Sequence, residues 1–371
     1  MMQSKLLGLH KFELSTPCLV IDKVKLMHNL NYMQELAKNK NVLLRPHTKT
    51  HKCSKIAKLQ LEHGAVGVCV AKVSEALVMA RNGISGILIT SPVVAINKID
   101  ILLTVVRLAP DTMVVVDNIE NAEQLNKIFK ENNLSLNILL DIDGGVGRTG
   151  VNLADAMNMI RELQKFSNLI FKGIQCYAGH LQHIANINER RQRSHEVLAN
   201  AVKIKNAVIA DGINCEILTG SGTGSFSIDA EIDGITEIQP GSYVVMDQEY
   251  NDIEYKEKGF LTAMTLLTTV ISTNHDTHVT VDAGTKAMYR VATLPQVISH
   301  PHLSYDWNGF GDEHGKVTVK DKSHSLPKLS EVLELRVGHC DPTINLYDQF
   351  IIMENDIVVD VWEINARGCC I

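Results

Sequence analysis

Long apolar runs are missing from this 371-residue chain: none reaches the ~18 residues that a helical membrane span needs. The opening stretch, MMQSKLLGLHKFEL, is interrupted by Lys5, His10, Lys11 and Glu13 and makes a poor signal peptide. No C-x-x-C pair occurs among the eight cysteines, Cys18, Cys53, Cys69, Cys176, Cys215, Cys340, Cys369 and Cys370. Several of them sit inside apolar runs such as VGVCV and GIQCY, which fits buried thiols in a reducing cytoplasm better than a disulfide framework or a zinc knuckle. A basic footprint is absent as well. The formal net charge is -6 and the basic residues are scattered, which argues against nucleic acid as a partner. There is no internal repeat, low-complexity tract or long linker.

What is present is a globular composition, 45% apolar and 21% charged, in a chain too long for most single cores, so about two domains are expected. Eight short apolar runs serve as strand candidates: residues 42–46, 66–70, 86–90, 112–116, 136–142, 171–177, 215–220 and 236–246. Helical stretches such as SKIAKLQLEHG, SEALVMARNG, NAEQLNKIFKEN and NLADAMNMIRELQKF lie between them, with apolar residues at three- and four-residue spacing. Eight such units are the signature of a (β/α)8 TIM barrel, with a doubly wound sheet as the competitor. The barrel is expected over 17–250. From about residue 255 the pattern turns β-rich, closing with a hairpin around Asn355-Asp356. A C-terminal all-β domain is therefore expected over 251–371, together with residues 1–16.

The strand ends carry the chemistry. The first runs into Arg45-Pro46-His47-Thr48-Lys49, then His51 and Lys52. Such a cluster can be a solvated basic turn, or a setting in which neighbouring cations keep one lysine amine nucleophilic. The fifth strand leads into DIDGGVGRTG, which presents Arg148, and the sixth into CYAGHLQH, which offers Tyr177, His180 and His183. After the seventh comes TGSGTGS, where glycines free backbone N–H groups and Ser221, Thr223 and Ser225 add hydroxyls, a nest for phosphate. The loop lacks the lysine of a nucleotide-triphosphate P-loop. The eighth brings QPGSYVVMD, a second Gly-Ser pair beside Tyr243. A lysine, a cation, aromatics and two phosphate-type loops at one barrel face suit a phosphorylated cofactor that needs an amine, pyridoxal 5′-phosphate (PLP). In the β domain, VGHCDPTINLYD offers His339 and Asp341. On a strand these would share one face, an open pair suited to Mn²⁺, Mg²⁺ or Zn²⁺, with Cys340 facing the core.

In their order, TPCLVID, RPHTKTHK, GGVGRTG, CYAGHLQH, TGSGTGS, QPGSYVVMD and GHCDPTINLYD resemble the D-threonine aldolase / D-serine dehydratase family, a branch of the alanine-racemase-like, fold-type III PLP enzymes. The likeness runs from about Thr16 to the C-terminus. It implies that Lys49 carries the cofactor and that Arg148 faces the pyridine nitrogen. It also implies that Ser221, Gly222, Thr223 and Gly224, with Gly241, Ser242 and Tyr243, hold the phosphate, Tyr177 lying beside the cofactor. A divalent metal would sit on His339 and Asp341. Dehydratases of the family carry Cys at the latter position and bind zinc, whereas the aldolases carry Asp and use Mn²⁺ or a similar hard ion. The expectation is thus an aldolase, a carbon–carbon lyase of D-amino acid metabolism, that cleaves D-threonine and related D-3-hydroxy-amino acids to glycine and an aldehyde. His183 would take the hydroxyl proton, with a water at the metal as its rival. A homodimer is expected from the family. The alternatives are a dehydratase acting on D-serine or D-3-hydroxyaspartate to give a 2-oxo acid and ammonia, and a PLP-carrier protein. Arg45 and Lys52 are expected to keep the Lys49 amine nucleophilic, and His47 and His51 to support it from behind.

Overall fold

The computed structural model describes residues 5–255 and 259–371. Strand β1 (Cys18–Asp22) leads into α1 (Lys23–Asn39), which starts where the Asp22 side chain accepts the Lys25 N–H and buries Leu26, Leu30, Met33 and Ala37 along one stripe. Eight parallel strands follow: β2 (Leu43–Leu44), β3 (Val68–Val70), β4 (Ile87–Ile89), β5 (Met113–Val116), β6 (Leu136–Asp143), β7 (Leu169–Tyr177), β8 (Ile217–Gly220) and β9 (Glu237–Ile238). Helices α2 (Ser54–Glu62), α3 (Val73–Arg81), α4 (Ile96–Leu108), α5 (Ile119–Glu131), α6 (Ala156–Leu163), α7 (Ile187–Ala210) and the single turn α8 (Phe226–Asp229) separate them.

The sheet runs β2-β9-β8-β7-β6-β5-β4-β3, and a parallel bridge between His47 and Cys69 joins its two outer strands and closes the ring. VCV, ILI and MVVV in β3 to β5 are buried throughout, because one face of each strand meets helices and the other meets the barrel interior. Inside, Cys69, Leu88, Met113, Val115 and Leu139 form a small apolar cluster of their own.

The eighth expected strand is shorter than residues 236–246. It stops at Ile238, since Pro240 has no N–H to donate, and residues Ser242–Val244 wind into a 3-10 turn instead. After the short helix α9 (Gln248–Asn251) the remaining strands are β10 (Met264–His275), β11 (His278–Val281), β12 (Gln296–Val297), β13 (Leu303–Asp306), β14 (Gly315–Val319), β15 (Val332–Arg336), β16 (Gln349–Glu354) and β17 (Ile357–Glu363). The β16–β17 hairpin turns on Asn355 and Asp356, at φ +52° and +64°, the left-handed pair that a tight two-residue turn demands.

One boundary is corrected. β1 is not a barrel strand: it lies in the second sheet, antiparallel to β10 and parallel to β16. The chain therefore enters the barrel at α1, after residue 22, and not at residue 17. Leu19, Val20 and Ile21 pair with Leu266, Thr265 and Met264, and their burial explains why an apolar run so near the N-terminus docks there. Among the described residues, no helix is long and apolar enough to cross a membrane.

Candidate active site

The chain leaves β2 through His47, and Lys52 donates its N–H to the Thr48 carbonyl at 2.8 Å, folding a single turn around Lys49. Here one expectation fails. Arg45 forms a two-point pair with Glu237, Nε to Oε2 at 2.9 Å and Nη2 to Oε1 at 2.8 Å, and also donates to the Gly86 carbonyl. Lys52 pairs with buried Glu75, whose second oxygen accepts the N–H groups of Ala71 (2.8 Å) and Lys72 (3.0 Å) at the start of α3. Each cation is cancelled by its own carboxylate, so neither acts on Lys49 as an unpaired charge. Both histidines of the turn are buried. His51 is wedged between Gln60 and the Cys53 N–H, and burial lowers its pKa to about 4. His47 meets the Thr90 hydroxyl at 3.1 Å, and burial with the Lys49 charge beside it keeps the ring neutral.

The H-x-D pair is held differently from the expected strand geometry. His339 is extended, but Asp341 already lies in the first turn of α10 (Cys340–Ile344). His339 Nδ1 is 2.9 Å from Asp247 Oδ2 and 3.5 Å from Glu249 Oε2, and the Cys340 N–H donates to the same Asp247 oxygen. Asp341 accepts from the Ser242 hydroxyl at 3.1 Å and the Cys340 thiol at 3.4 Å. Burial alone would lower the His339 pKa, but the Asp247 hydrogen bond and the charges of Asp341 and Glu249 raise it to about 9. Burial would raise the Asp341 carboxyl, yet Lys49 and His339 hold it below the usual carboxylate range. Asp341 therefore lies within electrostatic reach of both Lys49 and His339. Asp247, His339 and Cys340 also bring ligand-type atoms within 4.8 Å of one another, with Cys340 fully buried. Asp247 is the residue the sequence reading missed. It lies at the end of the quoted QPGSYVVMD, but its partner is 92 positions away, so spacing gave no signal.

His183 stands at the rim. One face of its ring packs on Tyr250, centroids 4.9 Å apart, and its edge meets His339 at 6.4 Å. That partial burial, with Glu249 pulling the other way and His339 adding to it, lowers the His183 pKa. Arg190 fixes its loop by donating to the carbonyls of Ile184, Ala185 and Glu254. Arg148 is exposed and lies over the Tyr177 ring, 5.7 Å from its centroid. Its turn is shaped by Asp143, which accepts from the N–H groups of Gly145, Val146 and Gly147, and by Thr149, which donates to Asp141 at 2.8 Å. His180 is exposed at the same rim.

Both glycine loops are buried at the ends of β8 and β9. Among the described residues, the N–H groups of Ser221, Thr223 and Gly241 donate to no other protein group. Buried backbone donors without partners are rare and mark a place for an anion. The loop is pinned from below: Gln182 bonds the Gly224 N–H (3.0 Å) and the Ser225 hydroxyl (2.9 Å), and buried Asp229 accepts from Ser225 at 2.5 Å. A Cβ on Gly224 would lie 2.0 Å from the Gln182 carbonyl oxygen, so only glycine fits. Tyr243 contributes its backbone N–H, to the Thr223 hydroxyl, while its ring is fully buried and its phenol oxygen accepts from Gln60. The donor set thus fits an anion such as phosphate at the glycine loops, and Asp247 and His339 offer ligand atoms for a cation.

The profile of the alanine racemase N-terminal domain matches residues 21–249, and that of a putative serine dehydratase domain matches 263–353. D-threonine aldolase of an Arthrobacter species is 36% identical over 95% of this chain and 93% of that protein. The 3-hydroxy-D-aspartate aldolase of Paracoccus denitrificans is 35% identical over 97% and 94%. The crystal structure of D-threonine aldolase from Filomicrobium marinum superposes with a TM-score of 0.92 at 35% identity, covering 98% of each chain. By sequence and by shape, this chain belongs to the D-threonine aldolase / D-serine dehydratase family, in which a serine-dehydratase-type β domain follows an alanine-racemase-like barrel.

Proposed function

We propose that this chain is a PLP- and divalent-metal-dependent aldolase that cleaves D-threonine and related D-3-hydroxy-amino acids to glycine and an aldehyde. One observation carries the reading: the half-buried Asp341 carboxylate of the β domain accepts from the hydroxyl of Ser242, on the second glycine loop of the barrel, at 3.1 Å, so the phosphate-type loops and the H-x-D pair meet at one place. Lys49 would hold the cofactor, the Ser221–Gly224 and Gly241–Ser242 loops its phosphate, and Arg148 its ring. When bound, PLP supplies a sink for the electron pair released as the Cα–Cβ bond breaks. His339 and Asp341, with Asp247 behind, would hold the ion, whose chemistry is to polarise the substrate hydroxyl.

The protein's own part is positional and acid–base. His183 is the base: its lowered pKa leaves the imidazole free to accept the β-hydroxyl proton near neutral pH. Asp247, fixed by its bonds to His339 and the Cys340 N–H, sets the imidazole's orientation. Carboxylates at 341 and 247 favour a hard ion, Mn²⁺ before Mg²⁺ or Zn²⁺. The proposal extends to a homodimer, on the family likeness, and to the cytoplasm, supported by buried unpaired thiols at Cys53, Cys69, Cys176 and Cys340.

The test incubates purified protein with PLP, Mn²⁺ and D-threonine and assays both product sets. Glycine and acetaldehyde are expected. A 2-oxo acid with ammonia, and no acetaldehyde, would replace the aldolase by a dehydratase. No product from D-threonine, D-serine or phenylserine would sink the enzyme reading. A His339→Ala variant that keeps PLP but loses turnover would exclude a mere carrier.

A further inference from the structure

We infer that Asn365, in the C-terminal turn of the β domain, is a positioning residue for Lys49. Helix α2 begins five residues after Lys49, and its own N-cap residue, Cys53, supplies no side-chain cap. The orphan donors of a first turn need an acceptor from somewhere. Asn365 provides it from 311 positions away: its Oδ1 accepts the Ser54 N–H at 3.0 Å and its Nδ2 donates to the Ser54 hydroxyl at 2.7 Å. Next to it, the Ala366 N–H donates to the Lys52 carbonyl at 2.9 Å.

Lys52 needs that hold. It sits at φ +49°, a left-handed conformation that non-glycine residues adopt only under constraint. Its N–H closes the turn around Lys49 on Thr48, and its carbonyl ends on Ala366. The exit of the lysine turn is therefore tied at both sides, to the barrel through Thr48 and to the β domain through Asn365 and Ala366. The same tail is fastened beyond α10: the Ile364 N–H donates to the Asp348 carbonyl at 2.8 Å, and Arg367 pairs with the Asp348 carboxylate at 2.6 Å. One short segment thus links the turn that carries Lys49 to the stretch that leaves α10, at its C-cap Asn345 and at Asp348. Its effect is on where the lysine nitrogen stands relative to the Asp341 carboxylate, and Asn365 itself touches no reacting atom.

This inference rests on the reading of Lys49 as the cofactor lysine, and the experiment separates the two. In holoenzyme with Mn²⁺, Asn365→Ala should shorten the half-life of PLP retention and lower kcat, each about tenfold, as small misplacements of a reactive group do. The visible circular dichroism of bound PLP should shrink, while KM for D-threonine and Mn²⁺ affinity stay near wild type. Asn365→Asp keeps the acceptor for the Ser54 N–H and should recover most of each loss, which a general loss of fold would not do. Ser54→Ala removes only the hydroxyl half of the contact, serves if Asn365→Ala does not fold, and should give a smaller change in the same direction. Wild-type PLP retention, dichroism and kcat in both variants would overturn the inference. If Lys49→Ala binds PLP as wild type does, with the same dichroism, the underlying reading of Lys49 fails instead.

Discussion

Replacing Glu237 by Gln should destabilise the protein strongly and leave the chemistry of Lys49 largely alone. Arg45 and Glu237 face each other with side chains 6% and 3% exposed, joined by hydrogen bonds of 2.9 and 2.8 Å. Gln keeps one acceptor but turns an NH2 group toward a guanidinium that has only donors. The Arg45 charge is then left buried without a counter-ion, and breaking a buried pair in this way costs about 3–5 kcal/mol. Melting entropy is about 2.1 cal/mol/K per residue, so a 371-residue chain that melts cooperatively has about 0.8 kcal/mol/K. The expected fall in Tm is therefore about 4–6 °C, with the urea midpoint moving down at constant slope. The double replacement Arg45→Met with Glu237→Met removes both charges and should recover most of the loss. Calorimetry and urea titration of the three variants, with kcat measured well below Tm, make the assay. A Tm within about 1 °C of wild type, or a large fall in kcat without a fall in Tm, would refute the assignment of this pair to structure.

Three further outcomes are expected. Burial raises the Asp141 carboxyl to about 6, against Gln175 and Thr149, which stabilise the charged form. The folded state then holds a proton that the unfolded chain has released, so the contribution of Asp141 to stability is greatest below about pH 4 and falls by about 3 kcal/mol as pH rises to about 6. Asp141→Asn should flatten that slope in urea midpoints measured across the window, and an unchanged slope would count against it. Gly224→Ala forces a methyl group to 2.0 Å from the Gln182 carbonyl, so PLP affinity, read by equilibrium dialysis, should fall at least about tenfold, and undiminished binding would remove that loop from the cofactor site. Chelation should abolish turnover and leave PLP bound, with Mn²⁺ restoring activity. His339→Ala should resist that rescue, and full rescue would move the ion elsewhere.

The repeating strands and helices were legible in the sequence because burial on both faces leaves a continuous apolar run, as in VCV, ILI and MVVV. The hairpin at Asn355-Asp356 was legible because few residues tolerate two consecutive left-handed conformations. Lys49, the glycine loops and the H-x-D segment could be singled out because each is a local run with its own chemistry. What could not be read were pairings across the chain: Arg45 with Glu237, Lys52 with Glu75, His339 with Asp247, Ser54 with Asn365. A cluster of basic residues looks the same on paper whether its charges are free or cancelled, and only folding brings up the carboxylates. The docking of β1 was hidden for the same reason, since an apolar pentapeptide does not name the strand it will join.

The place of β1 also bears on how the protein is made. Residues 18–22 leave the ribosome well before their partners at 264–267 and 351–353. At about 5–20 residues per second the first strand waits roughly half a minute before both neighbours exist. Most barrel units can form as they emerge, because β3 to β9 each find a neighbour within a few dozen residues, and the β2–β9 pairing waits only for residue 237. The sheet of the β domain cannot, and α10, lying between β15 and β16, is among the final pieces to settle. Assembly therefore has a fixed sequence, with the lysine face first and the ion-binding side after it. Ribosome-stalled chains that end before residue 340 should leave β1 open to protease while the barrel resists, and early protection of β1 would reverse that order.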